Sequence, residues 1–226
     1  MKMKKLVQFV IMLCLIGFAS ESFAQRLGIK AGLNLSTMTY KDNEETYSDD
    51  FKSNPGFHAG ITAEFGASNM LSFETGLLYT TKGFKASEKE NLMGATFEYE
   101  AVRTLNYLEI PLLAKANFNL GGATLYGTAG PYVAMGISGQ DKLTFKFDGE
   151  TETETEDIKW GSDEENDDLR PLDYGLSFGA GVEIGSIQLG ASYGLGLANI
   201  SAYRADDDVA KNRVLSVSVG YKFGRR

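Results

Sequence analysis

The chain has a single cysteine, a single histidine, a single tryptophan and four prolines in 226 residues, and past its first two dozen positions it has no long apolar run. Each scarcity excludes something. Cys14 lies inside the N-terminal apolar stretch and follows Leu13, whereas a lipid-attachment cysteine follows a small residue. Removal of that stretch leaves no cysteine, which rules out disulfides and thiolate metal sites in the mature chain. Without long apolar runs there are no helical membrane spans. No phosphate-binding loop or metal-binding helix motif occurs, and Gly179, Gly181 and Gly185 lie in and at the end of a strand pattern and open no helix, so a dinucleotide fingerprint fails on context. We expect no cofactor and no metal site.

What is present begins with a basic start (Lys2, Lys4, Lys5), an apolar run from Leu6 to Ala19 and small residues at Ser22-Phe23-Ala24. This is the pattern of a cleaved secretory signal, and the run is too short for a spanning helix, which needs roughly 20 residues. We expect residues 1–24 to be a signal peptide and residues 25–226 one domain. The signal carries three lysines and Glu21, a surplus of two positive charges, so its removal takes the formal charge from −8 to −10. That balance argues against nucleic acid. Essentially all of the surplus lies between Asp148 and Asp168, in Asp148, Glu150, Glu152, Glu154, Glu156, Asp157, Asp163, Glu164, Glu165, Asp167 and Asp168.

From Leu27 onward the hydrophobic period is two, the mark of strands with one apolar face. Eight such runs occur, near 27–36, 57–65, 71–80, 107–118, 123–137, 172–184, 187–197 and 215–223. The facing of the fifth is left open because its alternation is less clean. The connections alternate long, short, long, short, long, short, long, the order expected for external loops and periplasmic turns of an outer-membrane barrel. Alternation continues in 96–102 and at Leu143, Phe145 and Phe147, beyond the 9 to 11 residues that cross a bilayer, which predicts a sheet rising above the surface.

Eight alternating strands also suit a soluble barrel with its apolar face inward. Two features favour lipid outside. The non-apolar face is rich in glycine, serine and threonine, which a water-exposed strand has little use for but a narrow lumen accommodates. Phe65, Phe118, Tyr221 and Phe223 gather toward the short turns, and Tyr79 and Phe57 toward the long loops, as two interfacial girdles. Hydrocarbon then requires closure of the last strand on the first, since only a closed sheet pairs every backbone group. The fold expected is an all-β, eight-stranded, antiparallel, up-and-down transmembrane barrel in the outer membrane.

The strings GIKAGLNLS from Gly28, YLEIPLL from Tyr107, GPYV from Gly130 and VGYKF from Val219 resemble recurring strand segments of the PorT-like outer-membrane β-barrel family of Bacteroidota, and the resemblance runs from about Gln25 to Phe223. It implies an outer-membrane barrel of about eight strands, in a family most of whose members have no defined activity. This chain departs from the pattern in its long acidic third loop and in the Gly224-Arg225-Arg226 tail after Phe223.

The lumen register collects Lys30, Glu64, Glu74, Glu109, Lys115, Glu183 and Lys222, with Glu64, Glu74, Lys115, Glu183 and Lys222 near the short-turn end. Both signs in one layer favour a filled polar core over a conducting pore, because eight strands leave an interior just wide enough for side chains. His58 also faces the lumen, and the apolar face offers no serine or carboxylate near it, so no catalytic residue is assigned. The ETETETED stretch lacks the spacing of a calcium loop and reads as a solvated, self-repelling loop, with Asp206-Asp207-Asp208 a second acidic group. The partners expected are outer-membrane lipid and, at the loops, an unknown protein or divalent cations, for a barrel that is a monomer. A structural or surface-interaction role is the function expected, a narrow passive pore the alternative, and a lipid-modifying enzyme a third reading.

Overall fold

The computed structural model describes residues 25–41, 51–68, 70–92, 95–147, 150–203 and 209–223. The signal segment, Asp148, the Asp206-Asp207-Asp208 group and the tail after Phe223 lie outside them. The described residues form nine strands: β1 (Gln25–Lys41), β2 (Asn54–Gly66), β3 (Leu71–Leu92), β4 (Ala95–Asn119), β5 (Thr124–Phe147), β6 (Glu150–Asp157), β7 (Leu172–Ile184), β8 (Ile187–Gly196) and β9 (Val209–Lys222). Eight of them close a ring of antiparallel neighbours, in which β9 pairs with β1 and the β4–β5 pairing completes the circle. The eight-strand expectation therefore holds for the barrel.

The ninth strand, β6, corrects the reading of the acidic stretch. Glu150 to Asp157 is not a loop but a strand that pairs with the upper part of β5, from Gln140↔Asp157 to Phe147↔Glu150. Repulsion among its glutamates was expected to keep it irregular. Threonine at every second position and a ready-made partner edge on β5 outweigh that repulsion.

Side chains alternate as a membrane barrel requires. Leu33, Ile61, Phe73, Leu112, Val217 and Val219 point outward and are more than half exposed, an arrangement stable only where hydrocarbon covers them. Phe57 stacks on Tyr79 at 5.5 Å near the loop end, and Tyr221 meets Phe223 edge-on at 5.3 Å near the turns. The open facing of β5 resolves with Leu125, Ala129 and Val133 outward and Tyr126 and Tyr132 buried inward.

Strand length separates the membrane part from the rest. β8 has 10 residues, enough to cross a bilayer, while β4 has 25 and β5 has 24. The extra length of β3, β4 and β5, joined by β6, forms a four-stranded sheet beyond the membrane. Two local irregularities mark its root. The β4–β5 register shifts at Asn106/Tyr107. Across β4, Gly83 of β3 adopts φ +142°, where an added Cβ would lie 1.9 Å from the Arg103 carbonyl oxygen, so only glycine fits. The long connections at 83–104 and 138–171 contain most of this sheet, including the alternation at 96–102 and at Leu143, Phe145 and Phe147 that predicts it.

Candidate functional site: an occluded lumen beneath an external sheet

Every second residue of each strand enters the lumen, so charged residues on one parity are brought together by ring closure. Near the turns they form a compact layer. Lys115 Nζ lies 2.9 Å from Glu64, 3.4 Å from Glu183 and 3.9 Å from Glu74. Lys222 Nζ lies 3.2 Å from Glu183 and 3.7 Å from Glu74, and it also bonds Glu64. Arg26 pairs with Glu183 and Lys30 with Glu74. The Lys115 ammonium also sits 4.6 Å from the centre of the Tyr126 ring. Lys115 is 0% exposed, so its charge is met by protein groups on every side.

A second layer lies toward the loops. Lys82 bridges Glu109 at 2.8 Å and Asp173 at 3.0 Å, and its ammonium is 4.3 Å from the centre of the Tyr132 ring. Asn212 donates to Asp173 at 3.0 Å. Between the layers is a cavity of about 90 Å³, bounded by Lys30, Glu74 and Tyr126 on one side and Lys82, Glu109 and Tyr132 on the other. Charged and apolar side chains share its lining, and it has room for a few waters. The two layers together hold five cations, Arg26, Lys30, Lys82, Lys115 and Lys222, against five carboxylates, Glu64, Glu74, Glu109, Asp173 and Glu183. A buried charge without a partner is strongly unfavourable, and this interior is neutral as a whole.

An apolar plug closes the mouth. Ile158, Leu169, Ala198 and Ile200 fold inward from the third and fourth external connections and pack on Met38, Leu105, Tyr107 and Tyr132. Trp160 meets Tyr107 edge-on at 5.5 Å and lies so close to Gly136 that a Cβ there would be 2.5 Å from the indole. Backbone bonds tie the plug down: Gly136 N to Pro171 O at 2.7 Å, Arg170 N to Ile200 O at 2.8 Å and Ile200 N to Ala210 O at 2.9 Å.

A model described as "Outer membrane protein beta-barrel domain" matches residues 20–202. The chain belongs to that family. This outer membrane protein beta-barrel domain accordingly resides in the outer membrane, with its greasy face to lipid. No curated protein matches it. Solved structures similar to it include Ail, the attachment invasion locus protein of Yersinia pestis, at 16% identity over 88% of this chain and 99% of that one with a TM-score of 0.35. Neisserial surface protein A aligns at 15% identity over 87% and 97%, TM-score 0.39. The COG4313 outer membrane channel from Pseudomonas putida F1 aligns at 14% over 90% and 97%, TM-score 0.31.

Within the barrel domain, the structure brings Glu64, Glu74, Lys115, Glu183, Lys222 and Lys30 into one layer and sends Glu109 to the other. Arg26 and Lys82 lie outside the set read from sequence, and Asp173, on the polar face of its strand, is not among the lumen charges named there. Lys82 has the parity of Glu74 on β3 and would have been found by extending that strand past Thr80; Asp173 shares the lumen parity of Glu183. His58 is buried, with Nδ1 2.8 Å from Asn34 Oδ1, and Ser216 Oγ donates to the same oxygen at 2.8 Å. The acidic residues divide. Glu150, Glu152, Glu154, Glu156 and Asp157 are on β6, whereas Asp163, Glu164, Glu165, Asp167 and Asp168 lie in the turn that returns toward the mouth. There Asp168 accepts from Lys159 N at 2.8 Å and Asp167 from Asp163 N at 2.9 Å, and Asp163 accepts from Glu165 N at 3.1 Å. Backbone donation from Glu165 is the main cause that holds the Asp163 carboxyl below its ordinary value.

The external sheet has two unlike faces. One carries Lys85, Lys89, Lys142 and Lys146 with Glu98 and Glu100. Glu98 takes Lys89 at 2.5 Å and Lys146 at 3.3 Å, and the hydrogen bond from Lys89, then that from Lys146, lowers its pKa. The other carries Phe97, Tyr99, Ala101 and Arg103 beside Phe147, Phe145, Leu143 and Asp141. Arg103 binds Asp141 through two hydrogen bonds of 2.7 and 2.5 Å and lies over the Phe84 ring. Burial works against the Arg103 cation, but the bond to Asp141 outweighs it and raises its pKa.

Proposed function

We propose that this protein is a closed, non-conducting barrel of the PorT-like group that holds an interaction sheet above the outer membrane, reached by export with removal of residues 1–24. The observation that carries the reading is the succession of three obstructions along one axis: an ion-paired layer in which Lys115 is fully buried, a second around Lys82, and the apolar plug around Trp160. A solute would have to part all three, and each is held by contacts that a passive pore has no use for. The four strings that resemble PorT-like strand segments support the finer placement. His58 faces the lumen and is bonded to Asn34, away from lipid substrate, which supports a non-catalytic barrel. Lipid is then its solvent, and its partners meet it at the external sheet as a monomer.

The test is single-channel recording in planar bilayers with the mature protein. No conductance steps are expected at moderate voltage. Regular, reproducible steps that persist after exhaustive purification would overturn the closed reading. A neutral lipid profile in cells that overproduce the protein is expected as well, and altered lipid that reverts with His58→Ala would return the enzymatic alternative.

A further inference from the structure

Among the described residues β6 is the outermost strand of the sheet and pairs with β5 alone. All eight of its residues are exposed, so its far edge presents a row of unused amide and carbonyl groups, a template for one more strand. Its side chains say what that strand is. Glu150, Glu152, Glu154 and Glu156 share one face, about 7 Å apart. Their cross-strand neighbours on β5 are Phe147, Phe145, Leu143 and Asp141, none of which neutralises them. Among the described residues none of the four glutamates makes an ion pair, and the nearby lysines of β5, Lys142 and Lys146, lie on the opposite face with Thr155 and Thr151.

We infer that the free edge of β6 binds an extended basic segment of a partner protein as an added antiparallel strand, with lysine or arginine at alternate positions facing the four glutamates. This rests on the surface-interaction reading above and names the partner's chemistry. Charge complementarity selects the occupant. A second copy of this chain would bring the five carboxylates of β6 against five more, and like charges across a strand pair are destabilising. An acidic or neutral segment gains only backbone bonds. An alternating basic one satisfies both edge and charge, and the exposed Phe147 and neighbouring Phe145 offer aromatic faces to its cations.

The experiment uses the mature protein in detergent micelles and a fluorescent peptide of alternating lysine and threonine, eight residues long, read by anisotropy and by hydrogen exchange of residues 150–157. Binding is expected to weaken with salt, to protect the β6 amides, and to fall about tenfold or more when Glu150, Glu152, Glu154 and Glu156 are all changed to Thr. Threonine preserves the strand. A second probe needs no variant: the same peptide N-methylated at every amide keeps its charge but has no backbone donor on either edge, and it is expected to bind about tenfold more weakly. Equal binding of the methylated peptide without amide protection would reduce the effect to an ion cloud and overturn the inference, as would equal binding of a glutamate–threonine peptide or no binding of the basic one. Conductance recorded on the same preparation tests the closed barrel separately, so peptide binding with channel steps would sink only the earlier reading.

Discussion

The layer near the turns makes an unequal prediction for its two signs. It holds four cations, Arg26, Lys30, Lys115 and Lys222, and three carboxylates, Glu64, Glu74 and Glu183. Glu183→Gln doubles the positive surplus, deprives Arg26 of its partner and removes one contact each from Lys115 and Lys222. Leaving a buried charge uncompensated destabilises by about 3–5 kcal/mol. Lys115→Met does the reverse: three cations remain for three carboxylates, Glu64 and Glu74 keeping Lys222 and Lys30, and Glu183 keeping Arg26. The unbranched apolar chain fills nearly the same space, so the loss is expected below about 1.5 kcal/mol. Combined, the two substitutions should destabilise less than their sum, because they share one site. The assay is equilibrium urea unfolding of protein refolded into phosphocholine vesicles, followed through Trp160, the sole tryptophan. Equal losses for the two single variants, or a larger loss for Lys115→Met, would refute the argument that the layer is cation-rich and closely paired.

Two other predictions concern the mouth and the external sheet. Gly136→Val places side-chain atoms where the Trp160 ring now lies, and a Cβ alone would approach it to 2.5 Å; the indole is expected to leave the plug, shifting Trp160 emission to the red and raising its quenching by acrylamide, while an unchanged spectrum would mean that the plug is not seated on Gly136. Glu98 should titrate below its ordinary value of 4.5. Because its folded pKa is depressed, the bond to Lys89 and Lys146 contributes fully above that ordinary value and is lost as pH falls through the lowered one. Carbon-13 NMR of the carboxyl checks this, and Lys89→Ala should return the midpoint upward by more than Lys146→Ala does.

Much of the membrane part was legible because its signal is local. Leu27, Ile29, Ala31 and Leu33 alternate with Gly28, Lys30 and Gly32 whatever their neighbours do, and the pleat then assigns each to lipid or lumen. Strand ends were less legible. The run from Leu71 was expected to stop near Thr80, yet β3 continues to Leu92, since past the bilayer a strand no longer needs a greasy face and its alternation turns polar. β6 was hidden for the same reason: Glu and Thr alternate with period two, but its support comes from β5, to which it is joined only by a hairpin. In β5 itself, Gly127, Gly130 and Pro131 blur the pattern, and only its register with β4 and β7 settles which way Tyr126 and Tyr132 point.

By itself the sequence determined the alternation, the order of short and long connections, and therefore a barrel with lipid outside and small or charged residues within. Which charges meet was decided only by the tertiary structure. Lys115 on β4 finds Glu183 on β7, 68 residues away, and Trp160 finds Gly136 beneath it. The physical reason is that side-chain period is a property of one backbone, whereas these meetings depend on the stagger accumulated around a closed ring, which no single strand encodes.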